Sequence, residues 1–418
     1  MEKYIKRDRY IAKLAARRNN GDIKIVTGPR RSGKSWLLMR IYRDFLLSQG
    51  IPPENIIAIS LDTDEDPNGL DFTDPITLKK YVYSRIADNG EYYVFLDEVQ
   101  MLEGFERIVN GLNARDNVDV YISGSNSRFL SSDINTILRG RGDEIRVYPL
   151  SFSEFCSDRD EPVSTLWKEY YTYGGMPALR NHPSAEQKVA YLQRLWQKTY
   201  IDDVVERHGV KNRQALEVIV DALCSSIGSL TNPNKIKNTL RTVQGLTIDN
   251  DTIASYMRHL EDAFLFEGSR RYNIKGKRYY ESIKKYYVVD VGLRNARLNY
   301  RQQEETHIME NVIYNELRLR GYAVDVGVIE ERRMSGSKSE YRQLEVDFIA
   351  TNGTEKYYIQ SAYAIGDDTK RQQETASLRK IDDSFRKIIV VRDDIQSYHD
   401  DNGYLIIGLF DFLLSSSL

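Results

Sequence analysis

The chain has 418 residues, room for two to four domains, with an ordinary 41% hydrophobic and 29% charged composition. A formal net charge of −2 excludes a general polyanion binder, so any nucleic-acid surface must be a local patch. Two isolated cysteines, Cys156 and Cys224, and five scattered histidines give neither a disulfide framework nor a zinc cluster.

The amino-terminal MEKYIKRDRY is charged and lacks the apolar centre of a signal peptide. No stretch approaches the ~18 apolar residues of a membrane span, and a cytoplasmic location is expected. Residues 1–22 read as a short basic helix leading into a strand. Apolar runs IKIVTG, IIAISL, YYVFLDE and VYISGS then alternate with helix-like stretches WLLMRIYRDFLLSQ and TLKKYVYSRIADNG. That alternation predicts an α/β core with a parallel sheet over 1–150.

Within the core, Gly28-Pro29-Arg30-Arg31-Ser32-Gly33-Lys34-Ser35 matches the phosphate-cradling pattern G-x-x-x-x-G-K-[ST], entered by a strand and left by a helix. Glycines let the loop wrap phosphates with its N–H groups, and the helix presents its positive end to the anion. Lys34 is placed for the β- and γ-phosphates, Ser35 for Mg²⁺, and Trp36 completes the expected contact set.

The run Tyr92-Tyr93-Val94-Phe95-Leu96 delivers the adjacent carboxylates Asp97 and Glu98. Asp97 is the expected second Mg²⁺ ligand and Glu98 the general base that polarises the attacking water. Past a third strand, Ser125 and Asn126 are candidates to hydrogen-bond the γ-phosphate or that water. The loop Arg139-Gly140-Arg141 offers an arginine for transition-state charge, Arg141 being the better candidate, in its own subunit or a neighbour's. The latter would require a homo-oligomer.

Residues 151–208 are expected to be mostly helical, as a lid or linker. Over 209–300, QALEVIVDALCSSIG, NPNKIKNTLRT and DTIASYMRHLEDAFLFEG give three helices, the third capped by Asp251 or Thr252. RRYNIKGKRYYESIKKYYVVDVG follows as a hairpin turning at Gly276. Three helices and a hairpin are the order of a winged helix. Residues 301–418 are again α/β: a helix IMENVIYNELRLRG, strands AVDVGVIE, EVDFIA, YYIQSAYA, KIIVVR and YLIIGL, and a polar loop RRMSGSKSEYRQ.

GPRRSGKS, FLDEVQ, ISGSNS, LRGR and PLSFSEF, in this order and spacing, resemble a widespread prokaryotic group of AAA-superfamily P-loop ATPases. TYGGMPAL, LEDAFLF, YYVVDVGLRNA, MENVIYNEL, EVDF and YYIQSAY extend the resemblance over nearly the whole chain. It implies an ATPase core with its catalytic glutamate beside the Mg²⁺ aspartate, ATP as the nucleotide, a winged-helix-like region and a restriction-endonuclease-like α/β end.

Two further surfaces follow. The hairpin region 268–285 carries Arg270, Arg271, Lys275, Lys277, Arg278, Lys284 and Lys285 against a single Glu281, with tyrosines interleaved. This is a phosphate-contacting surface for double-stranded DNA or, equally, a solvated or protein-binding hairpin. In the last part, Glu310, Asp347 and Gln360 resemble the skeleton of a nuclease site. That chemistry needs intact metal ligands and a lysine two residues after the last of them, where Ala362 stands; Lys356 is a poor substitute. The nuclease is therefore expected to be inactive. The expected function is a Mg²⁺-dependent ATP-hydrolysing switch with a DNA-associated role; the alternatives are a slow signal-type ATPase acting as a protein-interaction switch, and an ATP-gated nuclease.

Overall fold

Apolar runs flanked by glycine and polar residues become the central parallel strands, buried on both faces, with less buried strands at the two edges. In the computed structural model, which describes residues 5–62, 69–124, 138, 140–335, 338–364, 372 and 374–416 (backbone alone at 243–244 and 332–341), these are β1 (Ile23–Thr27), β2 (Ile56–Ser60), β3 (Tyr92–Asp97), β4 (Val118–Ser123) and β5 (Gly142–Arg146). They belong to one of two units, residues 1–150 with 262–264; the other comprises 151–261 and 265–418.

The first unit is the expected α/β core. Its sheet is parallel throughout, in the order β2-β3-β4-β1-β5. One layer of its core packs Ile25, Val94, Leu96, Val120 and Ile122 against Leu78, Val82, Val109 and Leu112 of helices Pro75–Arg85 and Phe105–Asn113. Also buried in this unit are Tyr42, Phe95 and Tyr121, ring against ring. Beside them the buried Lys24 pairs with Asp119, whose carboxylate also accepts from the Tyr121 hydroxyl at 2.7 Å and the Asn19 amide at 3.0 Å. The segment after β1 is helical in three consecutive pieces, Lys34–Trp36, Leu37–Tyr42 with widened i→i+5 turns, and Arg43–Ser48.

The second unit begins with the expected helices, among them Val163–Tyr173 and Ala185–Arg194. Helices Arg213–Ser225, Pro233–Gln244 and Asn250–Asp262 follow, with the short β6 (Leu230–Thr231) between the first two. The third helix is capped by neither Asp251 nor Thr252. Asp249 caps it, accepting from the Thr252 amide at 2.8 Å, because a cap must precede the first helical turn.

The remaining strands are β7 (Phe266–Asn273), β8 (Arg278–Val288), β9 (Ala323–Ser335), β10 (Lys338–Asn352), β11 (Glu355–Ala362), β12 (Arg386–Val391), β13 (Tyr398–His399) and β14 (Leu405–Gly408). They form one mixed sheet, β13-β14-β12-β11-β10-β9-β7-β8-β6. Parallel pairing of Arg271 with Val326 joins the β7–β8 hairpin to the strands after it. The polar stretch expected as a loop is instead largely strand: backbone pairing of β9 with β10 continues to Ser335 opposite Lys338. Ladder hydrogen bonds rather than apolar alternation carry that ribbon, so the residue pattern conceals it.

The motifs TYGGMPAL and VVDVGLRNA prove to be packing devices. Asp290 caps helix Val291–Arg297 through the Leu293 amide at 3.0 Å and accepts from the Gly175 amide at 2.7 Å. A Cβ on Gly292 would lie 1.8 Å from the Tyr173 carbonyl oxygen, so only glycine permits this approach.

Candidate nucleotide-binding site

The loop 28–33 turns sharply out of β1. Gly28 has φ +138°, and a side chain there would meet the Val147 carbonyl oxygen at 2.1 Å. Arg31 at φ +61° and Gly33 at φ +95° complete the reversal into the helical segment that starts at Lys34. Lys34 is buried, its ammonium donating to the carbonyl oxygens of Gly28 at 3.1 Å and Pro29 at 3.0 Å, across the mouth of the loop. The Ser32 hydroxyl is buried with no hydrogen-bond partner among the described residues. A buried hydroxyl at the positive end of a helix, beside an ammonium, fits an anion.

The amino-terminal residues brace this loop. Arg7, buried, donates to the carbonyl oxygens of Ser32 at 3.3 Å and Tyr148 at 2.7 Å, and its guanidinium lies 4.6 Å from the Tyr10 ring centroid. The Tyr10 hydroxyl accepts from the Tyr148 amide at 2.9 Å. Sequence reasoning assigned these residues only to a leading helix.

Strand order then decides which groups meet the loop. β4 lies between β1 and β3, so the carboxylates at the end of β3 stand one strand away from the phosphate loop. Ser123, the last residue of β4, spans the gap: its hydroxyl donates to Asp97 and accepts from the Glu98 amide at 3.3 Å. The Ser35 hydroxyl also hydrogen-bonds Asp97. Burial pushes the Asp97 carboxyl above its ordinary range, and hydrogen bonds from Ser123 and Ser35 oppose that rise. A divalent ion held by Ser35 and Asp97 would offset the same burial cost, and this donor set suits Mg²⁺.

Glu98 sits at φ +51°, a left-handed conformation that costs a non-glycine residue about 1–2 kcal/mol. The Gln100 side-chain amide holds its carboxylate. Trp36 is exposed just after the loop, with the Arg40 guanidinium 5.9 Å from its ring centroid. Arg30 belongs to the same loop and is partly buried.

Of the candidates past β4, Ser125, Asn126 and Arg139 lie outside the described residues. Arg141 is exposed, but its carbonyl accepts from the Ile23 amide at 2.7 Å, at the start of β1. The phosphate loop leaves the other end of that strand, four residue steps or about 13 Å away. Arg141 therefore stands at the opposite end of β1 from the phosphate loop, a placement that motif spacing does not reveal. Ser123 was missed, although a lone hydroxyl closing an apolar strand beside the phosphate pocket was the available signal.

In the second unit the structure corrects the basic hairpin. Arg271 and Lys285 are 5% and 4% exposed, facing into the sheet rather than towards a phosphate backbone. Arg271 donates to Gln343 at 2.9 Å. Outward-facing Arg270 lies 4.0 Å from the Tyr279 ring centroid and 3.8 Å from Asp325, Lys275 is 3.9 Å from Asp382, and Lys284 is 3.6 Å from Glu261. Lys277 and Arg278 are exposed near the turn.

Lys285 instead meets the nuclease-like residues. Its ammonium is 2.9 Å from Glu310, 2.7 Å from Glu345 and 3.7 Å from Asp347. Burial disfavours its charge, yet the three carboxylates hold it firmly protonated. Burial, and next the charge of Glu310, pushes the Asp347 carboxyl well above its ordinary value. Gln360 donates to Asp347 at 2.8 Å. Lys356 pairs elsewhere, 3.6 Å from Asp383. Spacing showed no lysine here because this one arrives from β8, far away in sequence.

An AAA-domain family model matches residues 20–156, and a model described as a domain of unknown function (DUF8612) matches 164–304. An uncharacterised protein of Haemophilus influenzae is 35% identical over 98% of both chains. The chain belongs to this AAA-domain protein family. A second relative, the uncharacterised protein MJ1544 of Methanocaldococcus jannaschii, is 27% identical over 91% of this chain and 82% of its own. Among solved structures, the Aeropyrum pernix ORC1 protein in complex with DNA is 12% identical, covering 72% of this chain and 94% of its own at a TM-score of 0.29. Protein VC1899 from Vibrio cholerae is 14% identical over 94% and 96%, at a TM-score of 0.21. Overlap at these scores is loose. Among the described residues of this AAA-family chain, no helix is long and apolar enough to cross a membrane.

Proposed function

We propose that this AAA-family chain is a Mg²⁺-dependent ATPase that works as a nucleotide-driven switch in the cytoplasm. The supporting observation is the Ser123 bridge, which ties the Mg²⁺-side carboxylate Asp97 to the backbone of Glu98 beside the phosphate loop. Loop amides and Lys34 bind the β- and γ-phosphates, the lysine exchanging loop carbonyls for phosphate oxygens. Bound there, Mg²⁺ would supply charge neutralisation for the phosphates. Ser35 and Asp97 hold its shell, and Glu98 accepts the proton of the attacking water. Ser125 and Asn126 contact the γ-phosphate or that water, and Arg30, Arg31 and Trp36 flank the nucleotide. Arg141 acts on the nucleotide of a neighbouring copy.

In this reading residues 1–150 are the ATPase core, 151–208 a lid, 209–300 a winged-helix-like region and 301–418 an endonuclease-like part. The outward cations Arg270, Lys275, Lys277, Arg278 and Lys284 are its surface for double-stranded DNA. A slow, nucleotide-held protein-interaction switch is the second reading, favoured by the acids Asp325, Asp382 and Glu261 that already face three of those cations. Steady-state ATP hydrolysis with and without double-stranded DNA, for wild type and Glu98→Gln, separates the two. DNA stimulation lost in the variant supports the first; slow turnover indifferent to DNA supports the second.

A further inference from the structure

We propose that His208 and His259, with Asp262 completing the set, form a site for a borderline transition-metal ion, Zn²⁺ in the first place, that clips two helices together. The site takes the ion alone and requires no nucleotide.

Histidines scattered along the sequence meet here in space. His208 is the last residue of helix Asp202–His208, and His259 lies in the last turn of helix Asn250–Asp262. Their imidazole rings stack with centroids 3.8 Å apart and planes 17° from parallel. Asp262 follows His259 by about one turn, so the helix itself holds its carboxylate on the same face. Donor atoms of the three side chains lie within 4.8 Å of one another, and all three residues are partly buried. Gly209, at φ +58°, ends the first helix. Just beyond it the Asn212 amide donates to the Tyr256 hydroxyl at 3.2 Å, which fixes the second helix against the chain leaving the first.

Hydrogen bonding points to a lone pair in need of a cation. Nε2 of His259 is 3.2 Å from the Ser255 hydroxyl, whereas Nδ1 is buried with no hydrogen-bond partner among the described residues. In the tautomer whose Nε2–H donates to Ser255, Nδ1 carries the lone pair, and a buried acceptor left unsatisfied is costly. A metal-binding histidine has this arrangement, one ring nitrogen fixed by a hydrogen bond and the other offered to the ion. Burial, then the charges of His208 and Arg258, lowers the His259 imidazole from 6.5 to about 4. Near neutral pH no proton competes there with a metal.

The donor set selects the ion. Two imidazoles and one carboxylate suit Zn²⁺, with Ni²⁺ and Co²⁺ as substitutes, whereas Mg²⁺ and Ca²⁺ prefer oxygen alone. Three protein ligands leave a fourth position to water, which the partial exposure of the residues allows. The bound ion would tie the end of the helical segment 151–208 to the third helix of the region that follows.

The test titrates the full chain, stripped of metal and nucleotide, with Zn²⁺ and follows its five histidines by imidazole NMR. Two signals should shift together, and His208→Gln and His259→Gln should each remove one of them. Competition against a chromophoric chelator should show both variants binding Zn²⁺ at least about tenfold more weakly than wild type. Ser255→Ala should weaken binding in the same direction, since it removes only the supporting hydrogen bond. Asp97→Asn should keep both histidine shifts. Because the NMR reading uses the unaltered protein, it decides the matter even where a variant fails to fold. Zn²⁺ that shifts no histidine signal, shifts other histidines, or binds both histidine variants as tightly as wild type would overturn the site and leave the pair a stacking contact between two helices.

Discussion

The hydroxyl of Ser123 donates to the carboxylate of Asp97 across two adjacent parallel strands. The same oxygen receives the Glu98 amide, so one small side chain sets the position of both acidic residues. In the proposed mechanism its loss disturbs the water-activating geometry more than nucleotide affinity. Ser123→Ala should lower kcat by roughly 10- to 100-fold, with nucleotide Kd within about threefold of wild type. Parallel ATPase and binding titrations check this, and unchanged kcat would reduce the bridge to a packing contact.

Lys34→Ala should abolish tight nucleotide binding, because it removes the buried ammonium that lies across the mouth of the loop. Glu98→Gln should keep binding and slow hydrolysis by about 10² or more, the usual contribution of a positioned general base. A Glu98→Gln protein turning over at the wild-type rate would remove that residue from its role.

Arg7 joins the phosphate loop to Tyr148 through two carbonyl oxygens. Arg7→Ala leaves both buried acceptors short of a donor, at a cost on the order of 2–3 kcal/mol. Urea unfolding should show that loss, and nucleotide affinity should fall with it. Full affinity in a destabilised variant would mean that the loop holds its shape without the brace.

Asp290 has a pH signature. Burial raises its carboxyl from 3.8 to about 6 against the hydrogen bonds it accepts from the Gly175, Leu293 and Gly292 amides. Between those values the folded chain holds a proton that the unfolded chain has released, so this group stabilises most below pH 4. Its contribution falls as pH rises towards 6, by about 1.4 kcal/mol for each pH step of one in that window. Asp290→Asn has no such titration. The difference in unfolding free energy between wild type and variant should therefore shrink between pH 4 and 6; a constant difference would show that Asp290 is ionised throughout.

Much of the site was legible because it is local. Phosphate binding needs glycine and lysine at fixed steps between a strand and a helix, so eight consecutive residues announce it. An apolar strand ending in Asp97-Glu98 is equally local. Helix periodicity and apolar runs likewise located most elements of both units, whereas the β9–β10 ribbon escaped because its residues do not alternate in polarity.

The sequence by itself determined that this chain carries a phosphate loop, a carboxylate pair and a parallel α/β core. Only the tertiary structure decided that β4 lies between β1 and β3, which makes Ser123 the link and strands Arg141 at the far end of the sheet. It also turned Arg271 and Lys285 inward and brought Lys285 to Glu310. Strand order and facing are set by pairings between residues distant in the chain, and those leave no mark on short-range spacing.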